Sequence, residues 1–398
     1  MAARLTVVPG LSRGDPPRPA SPRLRSSLGS ICDVLPSAAA LLGVPEAVDA
    51  LGVTDWAGEV RRVAVLLVDG MGWHLLPELA ADAPLLASVL AGETGRLDEL
   101  ACTFPSTTPT SLVSLATGVS PGQHGILGFT LRVPDADRVL NHIFWRDDPP
   151  PARWQPVPTW FERLAAAGIS ARAVLPAHFI GSGLTQAAYR GAQFCATTKG
   201  EDYAGRVAAQ LTAAPGLVYA YTAALDTAAH LSGIGSDAWH AAAAHVDALL
   251  TRLIEALPPD AALLVTADHG GLNVPATARV DLDADPRLGA GVHTVAGDPR
   301  VRYLHTVDAA APDVIAAWTE VMGDRADVRH RDDAVAAGWF GPVHPDHLRR
   351  IGDVVVTCTG DTAVLASAHE PPEVAALIGF HGAATAVEMA IPLIAFRG

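Results

Sequence analysis

Short, continuous apolar runs recur along the chain and alternate with longer stretches in which the apolar positions follow a helical period. The runs are 63–68, 171–175, 217–221 and 261–265. Their length and composition are typical of strands that are buried on both faces. The alanine-rich stretches 159–167 and 238–257 lie between them and predict helices. We therefore expect an α/β fold of three layers, in which helices cover both faces of a mainly parallel central sheet.

The pattern changes between about 274 and 370. Loops are more frequent there, and the shorter elements that we predict are strands at 301–304 and 353–356 and a helix over Ala311–Met322. The run 389–394 looks like a return to the core. The predicted parts of the chain are an N-terminal extension, partly irregular, over 1–58, an α/β core over 59–273 and 371–398, and a smaller inserted α+β subdomain over 274–370.

Composition narrows the class of protein. The 398 residues are 49% hydrophobic, which is enough for a substantial core. The formal net charge of −14 argues against a nucleic acid polymer or an anionic membrane as a partner. Residues 1–30 contain no apolar stretch that resembles a signal peptide or a membrane span, so we expect a cytoplasmic protein. The four cysteines lack metal-site spacing and predict reduced, mostly buried thiols.

Six possible metal ligands lie at or just after apolar runs: Asp69, Asp226, His230, Asp268, His269 and His381. Open α/β sheets bind their ligands at the carboxyl ends of the strands, where Asp69, Asp268 and His269 are expected. Asp226 and His230 are four residues apart and share a face if the segment is helical. Each motif alone also fits a turn, a helix cap or a surface histidine. Together, carboxylates and imidazoles are ligands that divalent transition metals prefer.

A second chemical landmark is the hydroxyl-rich segment 103–111, which leads into an apolar helical pattern at 112–117. A hydroxyl at a helix N-terminus lies beside free backbone N–H groups and the positive end of the helix dipole. This position suits both an attacking oxygen and a bound phosphoryl group. Ordinary helix capping explains the segment equally well, and the pattern alone does not rank its hydroxyls.

The order Asp, Thr, Asp-x-x-x-His, Asp-His-Gly and His-Gly resembles that of the alkaline phosphatase superfamily and, within it, the nucleotide pyrophosphatase and type I phosphodiesterase family. The resemblance extends from residue 60 to residue 398. It includes Thr117-Gly118-Val119-Ser120-Pro121, the following His124-Gly125-Ile126, and the ending Glu388-Met389-Ala390-Ile391-Pro392.

The resemblance implies a nucleophilic threonine nine residues before Thr117, which is Thr108. A register shift of one residue would make Thr107 the nucleophile. Ser111 stands where the family has an asparagine that contacts a phosphoryl oxygen. The implied ligands are Asp226, His230 and His381 for one metal ion, and Asp69, Asp268, His269 and the Thr108 oxygen for the other. We expect two divalent ions, zinc first, with manganese or iron as alternatives.

The function implied is hydrolysis of a phosphate diester through a threonyl-phosphate (nucleotidyl) intermediate. The expected partner is a small phosphate ester, for which a nucleotide is one candidate, and the sequence does not predict an oligomeric state. A phosphomonoesterase or a phosphonate hydrolase on the same scaffold is the alternative, and a metal-binding protein without turnover is a third. Candidates for contact with a second ester group are Phe129, Trp145, Trp154 and Trp160, but packing is the more frequent role of such aromatic residues, and none of them is predicted as a binding residue.

Overall fold

A computed structural model describes residues 29–136 and 138–398 of the chain. The predicted N-terminal extension lies partly outside the described residues. Its described part forms a 3-10 turn at Ile31–Asp33 and a helix at Val34–Leu41, and it packs into the main core, where Ile31, Val34 and Leu35 are fully buried.

A seven-stranded sheet organises the main body, and a second, smaller sheet lies in the region that was predicted as an insert. The strands are β1 (Arg62–Val68), β2 (Arg96–Ala101), β3 (Thr130–Arg132), β4 (Val139–Asn141), β5 (Ala171–Pro176), β6 (Gln193–Thr197), β7 (Gly216–Thr222), β8 (Ala261–Thr266), β9 (Leu272–Asn273), β10 (Arg279–Asp281), β11 (Val292–Asp298), β12 (Val301–Thr306), β13 (Ala326–His330), β14 (Val354–Cys358), β15 (Ala363–Leu365), β16 (Gly379–Phe380) and β17 (Ala390–Arg397).

Helices connect most of these strands. They are α1 (Val34–Leu41), α2 (Val53–Ala57), α3 (Leu76–Leu79), α4 (Pro84–Leu90), α5 (Thr108–Thr117), α6 (Pro121–His124), α7 (Pro151–Trp154), α8 (Trp160–Ala166), α9 (Gly183–Ala188), α10 (Tyr203–Ala213), α11 (Ala224–Ser232), α12 (Asp237–Glu255), α13 (Pro286–Gly289), α14 (Ala311–Met322), α15 (Arg331–Ala336), α16 (Pro372–Ala376) and α17 (Ala386–Met389). Further 3-10 turns lie at Trp73–Leu75, Ala177–Phe179, Ala276–Ala278, Gly323–Arg325 and Pro345–Arg350.

The large sheet has the order β2-β17-β8-β1-β7-β5-β6. Its five strands from β8 to β6 are parallel, whereas β17 runs antiparallel to both β8 and β2. All six residues of β8 are buried, as expected for a strand covered on both faces. The prediction of a mixed α/β fold with a mostly parallel central sheet is confirmed, and each predicted core strand is present to within a residue or two.

Local sequence signals explain several of the helix boundaries. Helix α8 begins after Thr159, whose hydroxyl accepts a hydrogen bond from the Glu162 N–H while the Glu162 carboxylate accepts one from the Thr159 N–H. This reciprocal capping satisfies two backbone donors that the first turn of a helix leaves unpaired. The predicted helix over Ala311–Met322 is found with those bounds. Of the described helices, none combines the length and the apolar composition needed to cross a membrane.

The region between β9 and β16 has its own small sheet, in the order β11-β12-β14-β13, in which all neighbours are antiparallel. Helix α14 packs against it and buries Val314, Trp318 and Met322 in a hydrophobic cluster separate from the main core. Hydrogen bonds connect this sheet to the core. The Tyr303 hydroxyl donates a hydrogen bond to the Leu127 carbonyl at 2.6 Å, and the Thr130 hydroxyl donates one to the Gly297 carbonyl at 2.8 Å.

Candidate active site

Three neighbouring strands of the large sheet end at the same edge and bring four of the six predicted ligands together. Val68 of β1 is level with Thr222 of β7, and Leu67 is level with Thr266 of β8. Asp69 follows β1 directly, Asp226 lies in the first turn of the helix after β7, and Asp268 and His269 come two and three residues after β8. The parallel register therefore collects these side chains at one point, although 199 residues separate the first from the last.

The turn after β1 depends on a glycine. Gly70 has φ of +75°, a conformation that side chains other than glycine rarely adopt, and a Cβ there would lie 3.0 Å from the Cβ of Asp226. The Gly70 N–H donates a hydrogen bond to Asp268 Oδ1 at 3.1 Å. The Asp-Gly pair of the sequence is thus both a turn and a link between two of the ligand-bearing segments.

Each of the three histidines in the cluster has one ring nitrogen fixed by a backbone carbonyl. The Nδ1 atoms lie 2.8 Å from Gly379 O for His230, 2.9 Å from Ser106 O for His381 and 2.8 Å from Gly270 O for His269. A carbonyl oxygen only accepts hydrogen bonds, so these contacts put the ring proton on Nδ1. The three Nε2 lone pairs are then left for another partner, as is common for metal-binding histidines.

Asp226, His230 and His381 approach one another closely. The Nε2 atoms of His230 and His381 are 3.2 Å apart, and Asp226 Oδ2 is 3.3 Å from His230 Nε2. Asp226 Oδ1 is 3.8 Å from His381 Nε2. Two unprotonated nitrogens repel at this distance unless a cation or a proton lies between them. All three side chains are partly accessible, with 24%, 11% and 16% of the side chain exposed for His230, His381 and Asp226.

Asp69, Asp268 and His269 form a second group, which is fully enclosed. His269 Nε2 is 3.4 Å from Asp69 Oδ1 and 3.4 Å from Asp268 Oδ2. Both of these carboxylate oxygens are buried and have no hydrogen-bond partner among the described residues. A buried carboxylate oxygen without a partner is costly.

The pKa shifts of these side chains also indicate a site that favours a positive charge. Burial, reinforced by the neighbouring carboxylate of Asp268, raises the pKa of Asp69 to about 8, and burial raises the pKa of Asp268 to about 6. Burial also raises the pKa of Asp226 well above its usual range. The same burial holds the pKa of His381 well below its usual range, followed by the effect of the nearby rings of His269 and His230. Divalent cations among these groups would lower the pKa of the three carboxyl groups and would bind the neutral imidazole that burial favours at His381. The donor set therefore fits metal ions.

The two groups are in contact through stacked rings. The rings of His269 and His381 are parallel to within 13° and have centroids 3.5 Å apart. As a result, Asp226, His269 and His381 also present ligand atoms within 4.8 Å of one another, just as Asp69, Asp268 and His269 do. The contacts given above put His230 equally near to Asp226 and His381, as the predicted division requires. The division of the ligands between two ions stays a prediction.

Thr108 lies at the first position of helix α5, and its hydroxyl oxygen is 3.2 Å from His269 Nε2. Thr107 precedes the helix, is buried, and has its hydroxyl 3.0 Å from that of Thr110. Of the two candidates for the nucleophile, Thr108 therefore contacts the ligand cluster through its hydroxyl. Ser111 is fully buried, and its hydroxyl is 3.3 Å from that of Thr103. The geometry gives no support to a substrate contact at Ser111.

Two features of the site were not predicted. The Tyr221 hydroxyl donates a short hydrogen bond to Asp69 Oδ2. The two-residue alternation of Tyr219 and Tyr221 in β7 places them on one face of the sheet and could have pointed to this contact. The second feature is a buried ion pair, in which Arg300 Nε and Nη2 donate to the two carboxylate oxygens of Glu388 at 3.0 and 2.7 Å.

The ion pair connects the small sheet to the loop that carries His381. Glu388 also accepts a hydrogen bond from the Ala383 N–H at 3.0 Å and another from the Thr385 hydroxyl. Both charged side chains are fully buried. Burial opposes the charged guanidinium, but the Glu388 carboxylate outweighs it and raises the pKa of Arg300. Arg300 and Glu388 lie 88 residues apart in sequence, so no local pattern connects them.

Among the described residues, two of the cavities that border the ligand cluster have room for an organic group. We call the larger one, of about 460 Å³, the insert cavity: it begins at Thr107, His230 and His381 and continues along β11 of the small sheet. We call the other one, of about 360 Å³, the core cavity: it begins at Thr108 and Tyr221 and is walled by aromatic side chains, among them Phe144 and Phe179. Phe129, an aromatic candidate from the sequence, lines the insert cavity, and Trp145 lines the core cavity. Trp154 and Trp160 are buried by packing.

Comparisons with known proteins agree with this geometry. The sequence model of a family described as type I phosphodiesterase / nucleotide pyrophosphatase matches residues 63–384. Murine ectonucleotide pyrophosphatase/phosphodiesterase 5 has a similar structure, with a TM-score of 0.68 and 17% sequence identity over 85% of this chain and 88% of that chain. An inactive threonine-to-alanine form of that protein has been solved in complex with AMP.

Phosphonoacetate hydrolase from Sinorhizobium meliloti 1021, solved with phosphonoacetate, has a TM-score of 0.64 and 21% identity over 85% of this chain and 90% of that chain. No curated protein matches the sequence significantly. The family match makes this chain a hydrolase of phosphoric esters of the alkaline phosphatase superfamily, and the fold and the Asp/His cluster agree with it. Because the family match spans most of its length, the chain belongs to the type I phosphodiesterase / nucleotide pyrophosphatase family.

Proposed function

We propose that this protein is a phosphodiesterase that hydrolyses small phosphate diesters through a phosphorylated Thr108. The observation that carries the proposal is the contact between the Thr108 hydroxyl and His269 Nε2, 3.2 Å apart, at the N-terminus of a ten-residue helix and inside the Asp/His cluster. A hydroxyl in this position is oriented by the imidazole and faces the positive end of the helix dipole.

The proposed metal ligands are those implied by the family resemblance. They are Asp226, His230 and His381 for one ion, and Asp69, Asp268, His269 and the Thr108 oxygen for the other. Two bound ions would lower the pKa of the attacking hydroxyl and stabilise the leaving oxygen. Zinc is favoured by the mixture of nitrogen and oxygen donors, although manganese and iron accept the same set. The choice of zinc and a cytoplasmic location remain predictions.

The chain's own residues then perform the following steps. The Thr108 hydroxyl, whose oxygen lies 3.2 Å from His269 Nε2, gives up its proton to solvent, and the oxygen attacks phosphorus. The P–O bond to the leaving group breaks, the leaving oxygen takes up a proton from solvent, and a phosphodiester between Thr108 and the retained group remains. A water molecule then attacks the same phosphorus from the opposite side and releases Thr108. Two in-line displacements at one phosphorus give net retention of configuration.

A diester is favoured over a monoester because both sides of the ligand cluster have space for an organic group. The core cavity begins at Thr108 itself, and the insert cavity begins at His230 and His381. A monoester needs only one such cavity. Likeness to phosphonoacetate hydrolase at 21% identity concerns the fold, so phosphonate cleavage is kept as an outcome of the test.

The test compares kcat/KM for ethyl 4-nitrophenyl phosphate, 4-nitrophenyl phosphate and phosphonoacetate, using protein loaded with Zn²⁺ or Mn²⁺. We expect the diester to be preferred, because this ratio reports differential binding of the transition state. Preference for the monoester or for phosphonoacetate would replace the proposed reaction with one of its alternatives. No turnover of any of the three by metal-loaded protein would overturn the proposal and leave a metal-binding protein without turnover.

A further inference from the structure

The insert cavity has a defined place in the proposed reaction, and the inference below depends on that reaction. In phosphoryl transfer the attacking and leaving oxygens lie roughly in line with phosphorus. Thr108 contacts the Asp69, Asp268 and His269 group, so the leaving oxygen is expected near the other group. The insert cavity begins at two members of that group, His230 and His381. The leaving alcohol therefore enters the insert cavity, and the retained group enters the core cavity.

The walls of the insert cavity are mostly apolar. They come from three separate parts of the chain: the β3 and β4 hairpin with the residue before it, the small sheet, and the segment from α16 to β16. The apolar side chains that line the cavity are Phe129, Val139, Val295, Val374, Leu377 and Phe380. A volume of about 460 Å³ is within the range of pockets that bind small organic molecules. Such walls suit an aromatic or aliphatic alcohol.

The charged groups in the cavity wall do not leave a cation for an anionic ligand. Arg302 is the one arginine or lysine among the lining residues, and it is 2% exposed. Its Nη1 and Nη2 donate to the two oxygens of Glu370 at 2.6 and 2.8 Å, and its Nε donates to the Val364 carbonyl at 3.0 Å. The guanidinium charge is thus neutralised within the wall by a two-point pairing with a carboxylate.

A second acidic side chain lies in the wall. Asp298 lines the cavity and is buried, and its Oδ1 accepts hydrogen bonds from the N–H groups of Arg300 and Val301 at 2.9 and 3.1 Å. Of the lining histidines outside the ligand cluster, His369 lies 3.5 Å from the carboxylate of Asp283. Beyond the metal ion that His230 and His381 would hold at its mouth, the cavity is an apolar space whose wall carries acidic groups and an already paired arginine.

We propose that the insert cavity binds the leaving alcohol and selects an uncharged or cationic apolar alcohol over an anionic one. An anionic group that extends past this metal ion into the cavity would lose its hydration without gaining a cationic partner from the paired Arg302. The selectivity depends on Glu370, because its carboxylate occupies the donors of Arg302. Leaving groups that are themselves anionic, such as pyrophosphate, are accordingly poor ligands for this cavity.

The first experiment uses two diesters whose leaving groups are similar in size but differ in charge, ethyl 4-methylphenyl phosphate and ethyl 4-carboxyphenyl phosphate. The measured quantity is the ratio of their kcat/KM values, which we expect to favour the methyl compound in the wild type. Glu370→Gln releases the charge of Arg302 into the cavity and should move the ratio by about tenfold toward the carboxylate. Comparing ratios between variants removes the intrinsic difference in leaving-group reactivity.

Glu373→Gln is the matched control. Glu373 lies in α16, is exposed, and does not line the cavity, so the same loss of one negative charge should leave the ratio unchanged. An equal ratio in the wild type, Glu370→Gln and Glu373→Gln would overturn the inference while the proposed function stands. If neither diester is turned over by any of the three proteins, the proposed function fails instead, and the binding experiment below still tests the cavity.

The second experiment measures binding without turnover. Calorimetry with 4-methylphenol and 4-hydroxybenzoate should show binding of the uncharged phenol and weaker binding of the anion to the wild-type protein. Val374 is a half-buried lining residue, and Val374→Trp fills the cavity, so this variant should lose the binding of 4-methylphenol. Undiminished binding to Val374→Trp would show that the alcohol binds elsewhere and would overturn the inference. This arm also applies if Glu370→Gln does not fold.

Discussion

The carboxyl edge of the large sheet and the region between β9 and β16 contribute to the same site in different ways. At the sheet edge, each ligand is positioned by the strand it follows, as Asp69 follows β1 and Asp268 follows β8. The insert cavity, which the region between β9 and β16 helps to form, is not built by any single segment. Its walls combine the strand β11, the hairpin of β3 and β4, and the helix α16.

The sheet edge therefore determines which reaction takes place, and the insert cavity determines which ester is bound. The ligand cluster depends on a parallel register that many sequences share, because buried parallel strands pair in few ways. The insert cavity depends on side chains such as Val295 and Leu377, whose neighbours are set by the packing of this particular chain. Substitutions at the sheet edge should therefore abolish the reaction, whereas substitutions in the cavity should change which ester is cleaved.

The largest expected effect is at the sheet edge. Thr108→Ala removes the proposed nucleophile and should lower kcat for a diester by about 10⁴-fold or more. The metal content, measured by elemental analysis, should stay near that of the wild type, because six Asp and His ligands remain. Thr107→Ala is the control, since that hydroxyl bonds to Thr110 and not to the cluster. Loss of activity in Thr107→Ala with retention in Thr108→Ala would assign the nucleophile to Thr107.

A smaller effect is expected at His381. His381→Ala removes a ring whose Nε2 is 3.2 Å from that of His230, and it should cost about one metal ion per chain with a 10²- to 10³-fold loss of kcat/KM. Elemental analysis and a diester assay measure both. His293→Ala, an exposed lining residue of the insert cavity, is the comparison and should keep full metal content. Full occupancy in His381→Ala would contradict its assignment as a ligand.

The next prediction concerns the connection between the two regions. Arg300→Leu leaves the Glu388 carboxylate buried without its partner and should lower the free energy of unfolding by about 3–5 kcal/mol. Denaturant unfolding followed by fluorescence measures it. The double variant with Glu388→Leu should recover part of the loss, because the unpaired charge is gone. A single variant as stable as the wild type would show that the pair does not hold the small sheet to the core.

The smallest effect is a pH dependence within the insert cavity. Burial raises the pKa of Asp298 to about 7, so the folded protein keeps this proton to a higher pH than the unfolded chain does. Stability therefore falls as the pH rises from about 4 to 7. Asp298→Asn removes this titration, and its stability relative to the wild type should increase by on the order of 1–3 kcal/mol between pH 4 and pH 8.

Thermal unfolding in the presence of a chelator measures this dependence, because the buried carboxylates of the ligand cluster then titrate equally in both proteins. A difference in melting temperature that stays constant across the pH range would contradict a raised pKa for Asp298.

The parts of the molecule that could be predicted from the sequence are those with a local cause. The apolar run before Asp268 predicts a buried strand. In an open parallel sheet, the carboxyl ends of such strands lie at the edge where ligands bind. The choice of Thr108 over Thr107 as the nucleophile came from the family spacing before Thr117 and stays a prediction. In contrast, the Arg300–Glu388 pair joins residues that are distant in sequence, and no periodicity indicates such partners. The alternation in β7 gives the face of the sheet on which Tyr221 lies but does not identify Asp69 as its partner.

The prediction for Ser111 illustrates the same limit. Its place in the family pattern suggested a contact with a phosphoryl oxygen, but the orientation of a helical residue depends on its turn of the helix and on what packs there. Ser111 is one turn after Thr107, to which its N–H is bonded, and its hydroxyl is directed to Thr103 in the core. A shift of one residue along a helix changes the direction of the side chain enough to move a hydroxyl from the surface into the core.

The antiparallel strand β17 has a consequence for how the chain is made. It lies between β8 and β2 in the large sheet, and it is the last of the described strands in chain order. During synthesis, β2 therefore lacks its hydrogen-bonding neighbour β17 until nearly 300 further residues have been added to the chain. β17 can pair with β2 and β8 only after residues 390–397 have left the ribosome. Premature termination or a stalled ribosome should therefore leave an exposed strand edge that is prone to aggregation.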